Sequence, residues 1–329
     1  MHSTLIHRAA IAAALGLAML APAWAEDVSV PEQIVNGMNT VWGSHPGFRA
    51  NHARGLVAEG SFTPAPGAAA LSKAAIFAGP TVPVTVRFSD ATGVPTLPDG
   101  SPYANPHGMA IKFHMAEGGD MDIVDNSLKF FPVATPEDFR DLFAAIAASG
   151  PDSPHPNKLE QFIAAHQSVP AASATAATPS SLARENYFGI DAFIFVDKAG
   201  WRQPIRTQIL PVASADHLTA DAAAKQPPTF LMDEMRARLG KEKVSYRLLA
   251  QLAEPGDPTN DATKPWPDTR KTVDLGTLTL TAVAADSAAA EKALLFLPGN
   301  LTDGIEPSDD PLIDARNQAY AVSFGRRQQ

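Results

Sequence analysis

The segment Val82-Pro-Val-Thr-Val-Arg-Phe-Ser89 decides the fold class of this chain. Its apolar residues Val82, Val84, Val86 and Phe88 alternate with other types, which is the period of two typical of a β-strand with one buried face. Further strands are predicted over 56–62, 109–114, 187–197, 203–212, 243–253 and 273–283, and the stretch 122–133 is predicted to contain one or two extended runs around Asn126. Helical patterns lie between and after these strands. The sequence therefore predicts an α+β fold built on an antiparallel sheet or barrel.

Helix-start and helix-stop signals place the helices around these strands. Ser29 opens a helix that Gly43 closes, and Thr135 caps a second helix through its side chain. The segment 169–183, rich in Ala, Ser, Thr and Pro, is interpreted as a flexible surface connection. Further helices are predicted over 157–166, over 228–239 and from about Asp310 onwards.

Composition excludes several classes of protein. The chain of 329 residues has no cysteine, which rules out disulfides, zinc–thiolate sites, thiolate-ligated haem and cysteine nucleophiles. Its formal net charge is −9 and its charges follow no pattern, which argues against nucleic-acid binding, because that needs basic patches. The common signatures of zinc proteases, serine hydrolases, P-loop proteins and dinucleotide-binding domains are also absent.

Residues 1–25 have the three-part pattern of a secretory signal peptide. Arg8 precedes an apolar run over 9–20, and Ala23 and Ala25 occupy the small-residue positions before a cleavage site. The run is too short to cross a hydrocarbon core about 30 Å thick, so no membrane span is expected. We therefore expect cleavage after Ala25 and export to the periplasm or beyond, with 26–329 as a single domain.

Two pairs of residues suggest chemistry. Arg87 and Ser89 lie on the same face of their predicted strand, and an inward-facing arginine needs an anionic partner. Arg316 and Tyr320 are i, i+4 neighbours on the last helix, where an arginine beside a phenol stabilises the phenolate. Each pair also has an ordinary structural interpretation, as a buried ion pair or as core packing. A lone histidine such as His52 carries little information by position alone.

Read together, these residues resemble the haem-dependent catalase family. The resemblance runs in the family's order from about residue 32 to the C-terminus. It is carried by Phe48-Arg-Ala-Asn-His52-Ala-Arg-Gly, Val86-Arg-Phe-Ser89, Pro106-His-Gly-Met-Ala-Ile-Lys-Phe113, Asp122-Ile-Val-Asp-Asn126, Lys264-Pro-Trp-Pro267, Val273-Asp-Leu-Gly276, Gly304-Ile-Glu-Pro-Ser308 and the Arg316-x-x-x-Tyr320 spacing.

The resemblance implies a catalase-like antiparallel β-barrel with surrounding helices, and a haem, of the b type, bound between barrel and helices. Tyr320 would be the proximal iron ligand, with its phenolate supported by Arg316. His52 would act as general base and then acid on the peroxide, Ser89 would orient its ring, and Asn126 would donate to the outer peroxide oxygen. The other implied haem contacts are Arg49, Arg87, Val124, Phe131 (or Phe130) and Arg327 (or Arg326).

The chain also departs from the family. It is shorter than a typical catalase, an arginine common in the third motif is His107, and a histidine common in the mid-chain strand is replaced within Gly189-Ile-Asp191. The short form resembles the catalase-related peroxidases, which implies peroxide and a small organic electron donor as partners. The alternatives are a true catalase, a catalase-fold isomerase of lipid peroxides and a haem carrier or sensor without turnover. The sequence leaves open whether the chain forms a homo-oligomer.

The signal-peptide interpretation makes a direct prediction. The mature chain is expected to begin at Glu26 and to be recovered outside the cytoplasm. N-terminal sequencing or the intact mass of exported protein measures this. Recovery of the chain with residues 1–25 attached, in a membrane fraction, would contradict it.

Overall fold

Ten strands form one antiparallel sheet in the computed structural model, which describes residues 28–329. The strands are β1 (Gly55–Pro64), β2 (Val82–Asp90), β3 (His107–His114), β4 (Asp120–Asn126), β5 (Tyr187–Phe188), β6 (Phe193–Val196), β7 (Arg202–Pro211), β8 (Val244–Leu252), β9 (Thr272–Val283) and β10 (Ile305–Pro307). Eight of them close into a barrel in the order β1-β2-β3-β4-β5-β7-β8-β9, because β9 pairs with β1 and β7 pairs with β8. Strands β6 and β10 extend the sheet from β7.

Ten helices surround the barrel in the described part of the chain. They are α1 (Val30–Trp42), α2 (Ala68–Leu71), α3 (Ala75–Ala78), α4 (Pro136–Ala147), α5 (Lys158–Ala165), α6 (Ser168–Ser173), α7 (Ala220–Ala223), α8 (Phe230–Leu239), α9 (Ser287–Ala293) and α10 (Pro311–Arg327). Helices α1, α4 and α10 pack on one another. The arrangement confirms the predicted α+β fold with a barrel core.

Strand alternation gives the barrel wall two different faces. Val84, Val86 and Phe88 of β2 belong to the core inside the barrel, together with Met109 and Ile111 of β3 and the interior residues of the other strands. The intervening side chains point outwards, so the outer face of β2, β3 and β4 is free to carry polar residues. Helices α1, α4 and α10 lie on this outer side, where they and the wall border one cavity.

Several local predictions are confirmed. The Ser29 hydroxyl accepts the backbone N–H of Glu32, and the Thr135 hydroxyl accepts that of Asp138, at the starts of α1 and α4. The last helix begins with Asp310 as its cap, and the Asp310 carboxylate accepts the Leu312 N–H at 3.0 Å. Caps were predictable because they depend only on residues three positions apart.

Two predictions about the middle of the chain need correction. The segment 169–183 is not a simple surface connection: it contains most of α6 and buries Ala172, Thr178 and Leu182. The predicted strand 187–197 is divided into β5 and β6, and Gly189, which lies between them, is so close to Thr207 that a side chain would not fit. Both corrections arise from tertiary packing, which local composition does not report.

The predicted signal peptide lies outside the described residues. Within 28–329, no helix combines the length and the hydropathy that a membrane crossing requires.

Candidate active site

A cavity with about 1210 Å³ of empty space, counted out to its mouth, lies between the outer face of β2–β4 and helices α1, α4 and α10. Pockets that bind small molecules and cofactors usually have several hundred cubic ångströms or more. Its walls include all ten residues predicted as site residues from the sequence: Arg49, His52, Arg87, Ser89, Val124, Asn126, Phe131, Arg316, Tyr320 and Arg327. The fold thus brings together side chains that are more than 270 positions apart in the sequence.

His52 is held in a fixed orientation by its neighbours. Its φ of 54° lies in the left-handed region, and its backbone N–H donates to the Asn51 side-chain oxygen at 2.8 Å. Nδ1 of the ring lies 2.9 Å from the Ser89 hydroxyl oxygen. No described residue forms a hydrogen bond with Nε2, so this nitrogen is the one available for chemistry. Non-glycine residues in the left-handed region often occur at functional sites.

Gly108 makes room for this arrangement. It lies opposite Ser89 in the β2–β3 ladder. A Cβ at this position would lie 2.8 Å from the Ser89 hydroxyl oxygen and 3.0 Å from Cε1 of His52. These distances are shorter than normal packing distances, so only glycine lets the imidazole lie against the strand.

The surroundings keep His52 neutral. Burial and the positive charges of Arg87, Arg49 and Arg316 lower its pKa to about 3. At neutral pH the ring therefore carries no proton on one nitrogen and can accept one. A neutral imidazole is the form that a general base needs.

Asn126 ends β4 beside this histidine. It pairs with Gly108 in the β3–β4 ladder, and its side-chain oxygen accepts the backbone N–H of Leu128 at 2.8 Å. Since the oxygen is engaged, the NH₂ group is the end of the side chain left to donate. Asn126 is thus a hydrogen-bond donor on the same wall of the cavity as Ser89.

Arg316 and Tyr320 face the cavity from α10. The Arg316 Nε lies 3.3 Å from the Tyr320 hydroxyl oxygen, and Nη2 donates to the Val124 carbonyl at 3.0 Å. Nη1 donates to a carboxylate oxygen of Asp191. Burial alone lowers the pKa of Arg316, but the charges of Asp191 and Tyr320 raise it above its usual value. Arg316 is therefore a permanent cation beside the Tyr320 oxygen.

Three further arginines meet at another part of the wall. Arg87 Nη2 lies 2.9 Å from a carboxylate oxygen of Glu291, and Arg49 Nη1 lies 4.0 Å from the same oxygen. Arg49 and Arg327 both donate to the Leu294 carbonyl. Arg49 and Arg87 thus share one carboxylate, Arg327 shares a carbonyl with Arg49, and the Arg87 Nε has no hydrogen-bond partner within residues 28–329. We call Arg49, Arg87 and Arg327 the arginine cluster.

The arginine cluster is electrostatically incomplete. Burial, together with the charges of Arg87 and Arg327, lowers the pKa of Arg49 to about 7, and burial lowers that of Arg327 to about 10. Such shifts mean that the cations repel one another in a poorly solvated place, which an anion would relieve. Arg326, the alternative to Arg327, instead forms an ion pair with Glu32 at 2.9 Å.

The apolar part of the wall distinguishes the two candidate phenylalanines. Val124 and Phe131 line the cavity, whereas Phe130 does not. Phe131 packs on Phe139 of α4 with ring centroids 5.1 Å apart. These side chains offer flat apolar surface to a bound group.

The two departures from the family pattern lie in different environments. His107 is fully buried at the end of the barrel, 3.5 Å from the Asp90 carboxylate, and burial lowers its pKa to about 3. Asp191 is buried against Arg316. Sequence reasoning missed the pairing of Asp191 and Glu291 with the arginines, since 125 and 204 positions separate the partners.

The fold and the cavity together define a β-barrel protein with a cofactor-sized site on its outer wall. The catalase family model matches residues 46–327, and the chain belongs to the catalase family. Members of this family are haem proteins.

Two curated relatives are both named catalase-related peroxidase. The one from Mycolicibacterium paratuberculosis is 33% identical over 301 residues, which are 90% of this chain and 94% of the relative. The one from Synechococcus elongatus is 31% identical over 326 residues, which are 97% of this chain and 94% of the relative. The chain therefore spans almost the whole length of both.

Solved catalase structures share the fold. A fungal catalase and catalase A from Saccharomyces cerevisiae each superpose with a TM-score of 0.76 at 21% identity over 86% of this chain. A bacterial catalase gives the same TM-score at 20% identity over 96% of it. The chain spans only 60–63% of the length of these three proteins.

The position of Gly108 leads to a stability prediction. Gly108→Ala is expected to destabilise the fold by about 1–3 kcal/mol, the usual penalty for overpacking, because the new methyl group displaces His52 or Ser89. Urea unfolding followed by circular dichroism measures this. Gly67→Ala is the control, since a Cβ there meets nothing within 4 Å. Equal stability of the two variants would show that His52 is not packed against Gly108.

Proposed function

We propose that this protein is a haem-dependent peroxidase, which reduces hydrogen peroxide and organic hydroperoxides and oxidises a small organic donor. The observation that carries the proposal is that one cavity holds a neutral, oriented His52, a tyrosine paired with an arginine, and an uncompensated arginine cluster. The printed names of the two relatives along most of the chain support the same class of activity.

The arginine cluster fits the two carboxylates of a haem. It has three cations and one carboxylate, so two further negative charges would balance it. The free Arg87 Nε, in a side chain that is only 4% exposed, is a donor in need of an acceptor. Planar guanidinium groups suit carboxylates because they can form two parallel hydrogen bonds. A group with two propionates would supply the two missing negative charges and an acceptor for the Arg87 Nε–H.

The rest of the cavity also suits a haem. Val124 and Phe131 would pack against the faces of the ring. Tyr320 would hold the iron, as it is the only tyrosine among the described residues that line the cavity. A bound haem, of the b type in this proposal, supplies the iron and the electron chemistry. The Arg316 Nε lies 3.3 Å from the Tyr320 oxygen and would position that oxygen for the iron.

In this proposal, His52 transfers a proton between the oxygen atoms of the peroxide. Its free Nε2 accepts a proton from the peroxide and then returns it to the leaving oxygen, so the residue acts as base and then as acid. Ser89 holds Nδ1 and thereby fixes the ring orientation. The Asn126 NH₂ group donates to the oxygen on which negative charge develops. A haem carrier would need none of these three groups, which favours turnover over simple binding.

The chain length favours a peroxidase over a true catalase. This chain spans 94% of both catalase-related peroxidases but about 60% of the solved catalases. The match to proteins named catalase-related peroxidase over nearly their whole length therefore supports oxidation of a donor as the activity of this site.

Tyr320→Phe tests the iron ligand. The variant is expected to lose most of its haem or to show a changed haem absorption spectrum, because the chain has no cysteine and no other described tyrosine lines the cavity. Haem content per chain and the visible spectrum measure this. Tyr103→Phe, at a side chain that is 80% exposed, is the matched control. Normal haem content and spectrum in Tyr320→Phe would remove this residue from the role.

His52→Ala tests the proton carrier. The variant is expected to keep its haem and to react with hydrogen peroxide at least ~10²-fold more slowly, since a positioned acid–base group contributes about that much. Stopped-flow absorbance of the bound haem gives the rate. His155→Ala, at an exposed histidine, is the control. A wild-type rate in His52→Ala would show that His52 takes no part in the reaction with peroxide.

The pH profile of the same reaction follows from the lowered pKa of His52. Because that pKa is about 3, the ring stays neutral throughout the range from pH 8 to pH 5, and the wild-type rate is expected to be flat there. The rate should fall only as the pH approaches 3, where the ring becomes protonated and can no longer accept a proton. A half-maximal rate near pH 6.5, the ordinary value for histidine, would contradict this environment.

The ratio of two activities separates peroxidase from catalase. The wild-type protein is expected to release little oxygen from hydrogen peroxide alone and to oxidise a phenol or an aromatic amine with either hydrogen peroxide or an alkyl hydroperoxide. An oxygen electrode and a colorimetric donor assay on the same preparation measure this. Rapid oxygen release with negligible donor oxidation would make the protein a true catalase, with the fold and the haem site unchanged.

A further inference from the structure

Arg316 uses each of its three nitrogen atoms for a different partner. Nε faces the Tyr320 oxygen at 3.3 Å, Nη2 donates to the Val124 carbonyl at 3.0 Å, and Nη1 donates to the Asp191 carboxylate. Tyr320 and Asp191 are thus bound to the same guanidinium group from different sides. Any change in the charge of Asp191 reaches Tyr320 through one side chain.

Asp191 is the only carboxylate that forms an ion pair with Arg316 among residues 28–329. The Asp191 side chain is 1% exposed and that of Arg316 is 13% exposed, so water screens their interaction little. Without Asp191, the guanidinium would lose its carboxylate partner, and its positive charge would act more strongly on Tyr320.

Two other buried carboxylates lie nearby but are engaged elsewhere. Asp125 accepts hydrogen bonds from the Thr207 hydroxyl at 2.8 and 3.0 Å. Asp310 caps α10 by accepting the Leu312 N–H. Neither forms a hydrogen bond with Arg316, so Asp191 differs from both by direct contact.

Asp191 also lines a second, smaller cavity. This cavity lies behind Val124 and Ile190, with walls that include Asp125 and Thr207. Asp191 Oδ1 has no hydrogen-bond partner in the described part of the chain, although it is fully buried. The cavity has room for about one or two water molecules. A water molecule at Oδ1 would supply the missing hydrogen bond of this oxygen.

We propose that Asp191 is a positioning residue that sets the donor strength of the Tyr320 oxygen through Arg316. By offsetting the guanidinium charge, Asp191 leaves more negative charge on the Tyr320 oxygen than an unpaired arginine would allow. A more negative ligand favours ferric over ferrous iron, so Asp191 lowers the reduction potential of the bound haem. This inference rests on the proposed function, because it requires haem bound through Tyr320.

The test compares ferric–ferrous reduction potentials of full-length holoprotein by spectroelectrochemical titration. Asp191→Asn removes the charge and keeps the size of the side chain, and its potential is expected to shift to more positive values. Asp191→Glu keeps the charge and should lie closer to wild type. Asp310→Asn is the matched control: it removes another buried carboxylate charge near Arg316 without touching a hydrogen bond of Arg316, and its shift should be clearly smaller.

The outcomes separate this inference from the proposed function. If Tyr320→Phe loses haem while Asp191→Asn keeps the wild-type potential or shifts negatively, the role of Asp191 is wrong and the haem site stands. If wild-type protein binds no haem, or Tyr320→Phe leaves both the haem content and the spectrum unchanged, both ideas fail. If Asp191→Asn does not fold, Asp191→Ser replaces it, with the same positive shift expected and the same result overturning the proposal.

Discussion

The structure depends on the two-sided wall that β2, β3 and β4 form. Because side chains alternate along a strand, Val86 and Phe88 build the barrel core while Arg87 and Ser89 face the cavity from the same segment. The hydrophobic core therefore fixes the polar site directly, with no loop between them. A shift of one residue in the register of one of these strands would move its site residues into the core, so the register that stabilises the barrel also preserves this part of the site.

Burial and a surplus of positive charge govern the chemistry of the cavity. Burial lowers the pKa of His52, and the charges of Arg87, Arg49 and Arg316 lower it further. Glu291 and Asp191 offset only part of the arginine charge. An interior with more cations than anions is unfavourable by itself, and it becomes more stable when an anionic group binds. The surplus of positive charge therefore favours an anionic cofactor, while burial is the main reason that the imidazole stays in its basic form.

Much of the fold and the site could be predicted from the sequence, for identifiable reasons. Alternation in 82–89 and side-chain caps such as Thr135 are local patterns, so they survive folding unchanged. The predicted site residues were found through ordered motifs, and all of them line one cavity. Glu291 and Asp191 were not identified as the partners of the arginines, because these contacts form only when distant parts of the chain fold together. The packing of 169–183 was missed because small residues give the same composition in a loop and in a tight contact.

Strand β4 also links the two sides of the site. The Val124 carbonyl anchors Arg316 beside Tyr320, and Asn126, two residues further along the same strand, lies on the same wall of the cavity. Two residues of a strand span roughly 6–7 Å, and a strand that forms part of a closed barrel cannot stretch or slide. Arg87 and Ser89 have the same spacing on β2. The spacing of these wall residues along their strands is therefore set by backbone geometry. Substitution of these side chains is therefore expected to change the chemistry of the cavity and to leave the positions of the barrel strands unchanged.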